Sequence, residues 1–91
     1  MNTCRLDTIN NNCHILIRDT IQICFSYEIP AAIWISNKGY FQVDFISVTT
    51  SKHINLFYME LSGRDKKELV KQGLIQLVDT SKLLSLISEN L

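Results

Sequence analysis

The chain has 91 residues, 46% of them hydrophobic and 20% charged, and its nine lysines and arginines balance nine aspartates and glutamates. This length predicts one domain over residues 1–91, and the apolar content argues against an intrinsically disordered chain. A net charge of zero argues against nucleic-acid binding, because proteins that bind DNA or RNA usually present a basic surface.

Cysteine and histidine usage predicts neither a disulfide framework nor a metal site. The three cysteines, Cys4, Cys13 and Cys24, are odd in number and lie in apolar stretches, so we expect free thiols in a reducing compartment, the cytoplasm. Cys13 and His14 are neighbours, and on a strand their side chains point to opposite faces. We expect no metal, no cofactor, no signal peptide and no membrane span.

Three short strands are predicted in the first third of the chain, over residues 3–9, 13–18 and 20–27. The third strand has the clearest alternation of apolar and polar residues. Four of its side chains are predicted to share one face: Ile21, Ile23, Phe25 and Tyr27. Pro30 has no backbone N–H, so it belongs at the start of a strand or at a sheet edge.

A hairpin is predicted around Asn37-Lys38-Gly39, between strands over residues 31–36 and 40–45. A three-residue loop pairs Ser36 with Tyr40 and gives a consistent half-buried antiparallel register. One face of this hairpin then carries Ile33, Ile35, Phe41, Val43 and Phe45. The opposite face carries Trp34, Tyr40, Gln42 and Asp44.

The apolar period then changes to that of a helix. The stripe consists of Ile54, Phe57, Tyr58 and Leu61. A hydroxyl residue among 49–51 can cap the start of this helix, and Gly63 can end it.

The last third of the chain predicts a short charged helix over residues 64–72, and either a strand or an apolar connector over residues 74–78. Asp79 or Thr80 can cap a final helix. That helix is predicted to bury Leu83, Leu84 and Ile87. Together the elements predict an α+β fold, with an antiparallel sheet of four to five strands and helices packed against it.

Exposed aromatic and apolar residues are candidates for a protein-binding surface. Trp34 and Tyr40 lie on the face opposite the inner apolar row, and they are either interface anchors or core residues beneath a helix. Leu56 and Met59 fall outside the main stripe of the central helix and widen its apolar surface. Because a domain of this size gains stability by covering such surface, we expect a homodimer or larger assembly.

The segment Thr49–Asn55 places hydroxyls, a cation and an imidazole at a helix start. One interpretation is an anion site formed by Thr50, Ser51, Lys52 and His53, since free N–H groups at a helix N-terminus favour anions. The other is structural: a hydroxyl caps the helix, and His53 hydrogen-bonds to the sheet.

Three stretches resemble a group of small phage proteins. They are Ser26-Tyr27-Glu28-Ile29-Pro30-Ala31-Ala32, Asn37-Lys38-Gly39-Tyr40 and Ser47-Val48-Thr49-Thr50-Ser51-Lys52-His53-Ile54-Asn55. The resemblance covers about a third of the chain, with Thr-Thr-Ser-Lys-His as its most specific part. This chain carries Ile29 where the group's pattern has threonine.

The resemblance implies a phage accessory protein that binds a host protein, since small phage proteins of this kind often inhibit bacterial defence systems. In size and kind the chain is similar to phage inhibitors of the BREX defence system, which act on its ATPase. With no acid–base pair or nucleophile motif, we expect no enzymatic activity. The alternative function is a small nucleic-acid-associated regulator that uses the helix start at Thr49–Asn55.

Overall fold

The computed structural model describes residues 5–10, 12–44, 47–64 and 66–90; Cys4 and Phe45, which entered the predictions above, lie outside them. Within the described residues, six strands form one sheet and three helices pack against it. The strands are β1 (Arg5–Asn10), β2 (Cys13–Ile17), β3 (Ile21–Ser26), β4 (Ile29–Ile35), β5 (Gly39–Val43) and β6 (Ile75–Val78). The helices are α1 (Val48–Ser62), α2 (Lys66–Lys71) and α3 (Thr80–Asn90).

The strands lie side by side in chain order. Neighbours from β1 to β5 are antiparallel, and β6 pairs in parallel with β5. The predicted α+β fold is confirmed, with five antiparallel strands. Residues 74–78 were predicted to form either a strand or an apolar connector, and they contribute a sixth strand. A parallel neighbour needs a crossover connection, and α1 and α2 provide it between β5 and β6.

The β4–β5 hairpin forms where it was predicted, but its register differs by two residues. Ile35 pairs with Gly39, whereas the sequence predicted Ser36 opposite Tyr40. Asn37 takes a left-handed φ of 71°, a conformation that asparagine tolerates in turns. Because side chains alternate with a period of two, this shift leaves the predicted faces unchanged.

The β3–β4 connection is a two-residue turn, Tyr27-Glu28, with Ser26 paired to Ile29 across it. The prediction that Tyr27 belongs to β3 and shares a face with Ile21, Ile23 and Phe25 is therefore wrong. Tyr27 lies in the turn with a φ of 61° and is 51% exposed. The strand ends one residue before it, so alternation no longer sets its direction.

Pro30 lies inside β4 next to an irregularity of the β3–β4 ladder. The register shifts between Cys24 and Phe25, and Phe25 is the residue that pairs with Pro30. A bulge is one of the few places where a sheet accepts a residue without an N–H.

One face of the sheet is covered by α1 and α2. Its buried members are Cys13, Ile15, Cys24, Ala31, Ala32, Ile54, Phe57, Tyr58 and Leu69. The predicted apolar stripe of α1 forms this contact, with His53 as an additional buried residue.

The opposite face is covered by α3. Its buried members are Ile21, Ile23, Ile33, Ile35, Phe41, Val43, Leu83 and Leu86. Leu84 was predicted to be buried, but it is 48% exposed and Leu86 is buried instead. Residues three apart share a helix face, so Leu83 and Leu86 face the sheet together and Leu84 lies to one side.

Capping residues set the helix ends. Ser47 caps α1, since its Oγ accepts the Thr50 N–H at 3.1 Å. The prediction of a cap among residues 49–51 is therefore wrong, because the cap lies before that range. Gly63 ends α1 in the left-handed conformation, and Asp79 caps α3, as predicted. No helix in the described part of the chain is long and apolar enough to cross a membrane.

Candidate functional site

Two distant stretches of the chain that carry the phage-protein resemblance meet at the end of β3. The Oγ of Ser26 lies 2.7 Å from Nδ1 of His53 and 3.1 Å from Oγ1 of Thr50. Ser26 and His53 are both buried. These hydrogen bonds tie the first turns of α1 to the sheet, which is the structural interpretation of His53.

Ser47 extends this hydrogen-bonded group to the surface. Its hydroxyl donates to Oγ1 of Thr50 at 3.1 Å and accepts the Thr50 N–H at the same distance. We call Ser26, Ser47, Thr50 and His53 the hydroxyl–imidazole cluster. It runs from the exposed cap residue down to a buried imidazole, so it fixes the position of the α1 start rather than presenting free hydroxyls.

Two thiols lie beneath the cluster and contact one helical carbonyl. The Sγ atoms of Cys13 and Cys24 donate to the carbonyl oxygen of His53 at 3.7 and 3.8 Å, and neither residue has exposed surface. The hydrogen bond with Cys13 and burial raise the pKa of the Cys24 thiol far above its usual value. Cys24 is therefore a neutral packing residue and not a reactive thiolate. The prediction that these two cysteines are free is confirmed.

A second buried polar contact joins α1 to β5. The hydroxyl of Tyr58 donates to Oε1 of Gln42 at 2.9 Å, and both residues are buried. Burial raises the pKa of the Tyr58 hydroxyl well above its usual value, so it remains a hydrogen-bond donor. The ring of Tyr40 meets that of Tyr58 edge-on, with centroids 5.5 Å apart.

The four residues of the predicted anion site do not converge on one point. Thr50 is half-buried and lines a surface cleft, while His53 is buried beneath it. Lys52 is exposed, and on a helix it lies about 200° around the axis from Thr50. Ser51 is half-buried about 100° from Thr50. Only Thr50 of the four therefore faces the cleft, and the cation is directed elsewhere.

The β3–β4 turn projects between two clefts. One, of about 260 Å³, lies between the turn, the α1 start at Ser47 and Thr50, and Thr80 of α3. The other, of about 410 Å³, lies beside Asn12 and His14. Tyr27 and Ile29 line both clefts. We call the segment Tyr27-Glu28-Ile29 the ridge.

The ridge exposes large apolar side chains on a strained backbone. Tyr27 is 51% exposed and Ile29 is 64% exposed. The left-handed φ of Tyr27 is uncommon for a bulky residue, and strained residues of this kind cluster at functional sites. Its ring also rests 5.7 Å from that of His53, so the ridge packs directly on the hydroxyl–imidazole cluster.

The predicted protein-binding residues divide into two pairs. Trp34 and Tyr40 are half-buried and pack against the core beneath α1, which favours the alternative that a helix covers their face. Leu56 and Met59 are 36% and 45% exposed on the outer side of α1. Val48, at the start of the same helix, is the most exposed of the large apolar residues that the structure describes.

The Ser26–His53 contact has the distance of a nucleophile–base pair, but the surroundings do not match one. Ser26 is buried, and its hydroxyl is shared between Thr50 and His53. Among the hydrogen bonds of the described residues, none joins His53 to a carboxylate that could orient it. The described residues also contain no group of three or more His, Cys, Asp or Glu placed to hold a metal ion.

Sequence reasoning missed the ridge and Val48 as surface features. The alternation of β3 extends through Tyr27 without interruption, so nothing in the pattern marks the strand end. The available signal was the resemblance, whose first stretch contains Tyr27 and Ile29 and whose last stretch contains Val48.

Comparison with known families gives one match. The model of a family of unknown function, DUF8033, matches residues 4–75, which include five strands, α1, α2 and the whole hydroxyl–imidazole cluster. Neither the curated proteins nor the solved structures include a match to the chain.

Proposed function

The chain belongs to this family of unknown function, and because membership assigns no activity, we propose from the surface that it is a non-enzymatic protein that binds a host protein. The observation that carries the proposal is the ridge, where Tyr27 and Ile29 are exposed beside two clefts. Tyrosine is enriched among the residues that dominate binding energy at interfaces, where it inserts into a partner's pocket.

The outer side of α1 carries a second exposed apolar patch, on the side of the helix that faces away from the cleft. Ser47 lines the same cleft as the ridge, and Val48 follows it with 75% of its surface exposed. Leu56 and Met59 continue along the helix from there. Val48 and Met59 lie about 160° and 180° around the helix axis from Thr50, so this patch is separate from the ridge and offers a partner protein a second apolar surface.

The resemblance to phage proteins supports a partner in a host bacterium. Such a protein acts in the cytoplasm by occupying a surface of a defence component, and the BREX ATPase is the first candidate. The neutral net charge of the chain supports a protein partner over a nucleic acid. The role needs no chemistry from the chain itself.

Two assays test this proposal in sequence. Expression in a host that carries BREX should restore plating of a BREX-sensitive phage, and the purified chain should bind the purified ATPase. Tyr27→Gly removes the ring but keeps a residue that accepts the left-handed turn, so it should weaken binding by about thirtyfold or more while the chain stays folded. Leu84→Ala is the matched control, because Leu84 is also about half exposed but lies on α3.

If phage plating and ATPase binding are both absent, BREX is not the target, and the chain should be used to capture partners from a phage-sensitive host. A captured partner supports the proposal only when the purified pair binds and Tyr27→Gly weakens it. Equal binding by wild type and Tyr27→Gly shows that the ridge is not the interface.

The nucleic-acid regulator remains the alternative, and the geometry favours it less. The hydroxyls at the α1 start are already hydrogen-bonded to one another, and Lys52 lies on a different side of the helix from Thr50. Tight binding to duplex DNA or RNA at physiological salt, with a steep fall as salt rises, would favour the regulator instead.

A further inference from the structure

The two edges of the sheet differ in how they are protected. The sequence of β1 carries Arg5 and Asp7, and its ladder has an irregularity between Thr8 and Asn10. Charges and bulges are the usual means by which an edge strand avoids pairing with another chain. The opposite edge, β6, reads Ile-Gln-Leu-Val, with no charge, no proline and no irregularity in its pairing with β5.

The free hydrogen-bonding groups of β6 can be identified from its parallel ladder. The carbonyl of Val78 accepts the Asp44 N–H at 2.9 Å, so Val78 directs its backbone groups toward β5. In a parallel ladder alternate residues share this direction, which assigns Gln76 to β5 as well. The N–H and C=O groups of Ile75 and Leu77 therefore point away from the sheet.

One antiparallel register between two copies of β6 uses all of these groups. If Gln76 faces Gln76 of the second copy, Ile75 faces Leu77 of the second copy on each side. Ile75 and Leu77 then exchange both N–H···O=C bonds, which gives four bonds across the edge.

The side chains agree with the same register. Ile75 and Leu77 both lie on the α1 face, where Ile75 packs against the core and Leu77 is 63% exposed. Pairing places these apolar side chains against each other, and it sets Leu74 opposite Val78 on the α3 face. The one charge in the segment 73–79 is Asp79, which falls opposite Gly73, so no like charges face each other.

We propose that β6 is the self-association edge, and that a second copy of this chain joins it in this register to make a twofold dimer with one continuous sheet. The occupant is a second copy because the strand is complementary to itself in hydrogen bonds, apolar pairs and charge. A twofold axis through Gln76 gives both strands the same hydrogen bonds and side-chain contacts. This interface uses residues that are separate from the ridge.

The mass of the full chain in solution is the first test. Sedimentation equilibrium should give twice the 10.5 kDa monomer mass at high micromolar concentration. Leu77→Pro removes an outward N–H without removing a bond to β5, and proline is tolerated at such edge positions. It should weaken dimerisation by about tenfold or more.

Two lysine variants change exposed side chains, so both are expected to fold and their dimerisation can be compared. Leu77→Lys places a charge on the edge and should also weaken the dimer. Leu84→Lys changes a similarly exposed leucine on α3 and should leave the dimer unchanged. A monomeric wild type at several hundred micromolar overturns the proposal, and so does a folded Leu77→Lys variant that dimerises like the wild type.

Disulfide crosslinking tests the register in a Cys4→Ser background, where the remaining Cys13 and Cys24 are fully buried. Gln76 faces its own copy in a non-hydrogen-bonded pair, with Cα atoms about 4.5 Å apart, within the range of a disulfide. Gln76→Cys should therefore crosslink the dimer under mild oxidation, and Leu77→Cys should not. Crosslinking through Leu77→Cys alone overturns the register.

Discussion

Helices α1 and α3 cover opposite faces of the same sheet, yet the layers they form differ in chemistry. Among the described residues, no buried polar side chain lies under α3. The layer under α1 contains all three buried polar residues that the structure describes, namely Ser26, Gln42 and His53. It also contains the two thiols that contact the His53 carbonyl.

This difference in chemistry shows how each helix is held in position on the sheet. Apolar packing under α3 depends on volume and shape, and such cores tolerate substitutions of similar size. Polar pairs under α1 have to meet at fixed distances, because a buried group without a partner is costly. The α1 contacts therefore specify where that helix begins, and the ridge rests on this defined position through the Tyr27–His53 ring contact.

The largest effect is expected from creating a cavity on the apolar face. Ile33 is fully buried under α3, so Ile33→Ala should lower the free energy of unfolding by about 2–5 kcal/mol. Val48→Ala, at an exposed position, should change it by about 0.5 kcal/mol or less. Urea unfolding followed by circular dichroism measures both. Equal effects of the two variants would show that α3 does not cover Ile33.

The second-largest effect is expected from breaking a buried hydrogen bond on the α1 face. Tyr58→Phe removes the donor to Gln42 and leaves a buried oxygen unpaired, so it should cost about 1–3 kcal/mol. Adding Gln42→Leu removes the unpaired group and should recover part of that loss. Urea unfolding of the two single variants and the double variant closes the cycle. Additive losses would contradict a direct hydrogen bond.

A smaller effect is expected at the start of α1. Ser47→Ala removes the cap of the helix and should destabilise the chain by about 1 kcal/mol. Thr49→Ala is the matched control, because Thr49 is an exposed hydroxyl residue two positions later and is not the cap. If thermal unfolding shows a larger loss of stability for Thr49→Ala than for Ser47→Ala, the cap lies at the position that the sequence predicted.

An effect of similar size to the loss of the cap is expected from the backbone strain of the ridge. Tyr27→Gly and Tyr27→Ala both remove the ring, but only glycine adopts the left-handed φ without a steric penalty. The glycine variant should therefore be more stable than the alanine variant by about 1 kcal/mol. Differential scanning calorimetry compares the two. A more stable alanine variant would show that Tyr27 does not hold a left-handed turn in solution.

The sequence alone predicted the elements that repeat a simple period. Alternation in β3 grouped Ile21 with Ile23, alternation in the hairpin grouped Ile33 with Phe41, and the helical stripe placed Ile54 and Phe57 inward. Gly63 and Asp79 marked helix ends because their chemistry is local. These predictions succeeded because each depends on residues only a few positions apart.

Only the tertiary structure decided which helix covers which face, and therefore that Trp34 and Tyr40 pack beneath α1. It also decided that His53 meets Ser26 across 27 positions, and that Tyr27 leaves the strand at a turn. The edge position of β6 depends on a parallel pairing that no local pattern marks. Contacts between distant residues are determined by how the layers pack together, and a period read along one segment carries no information about its neighbours in space.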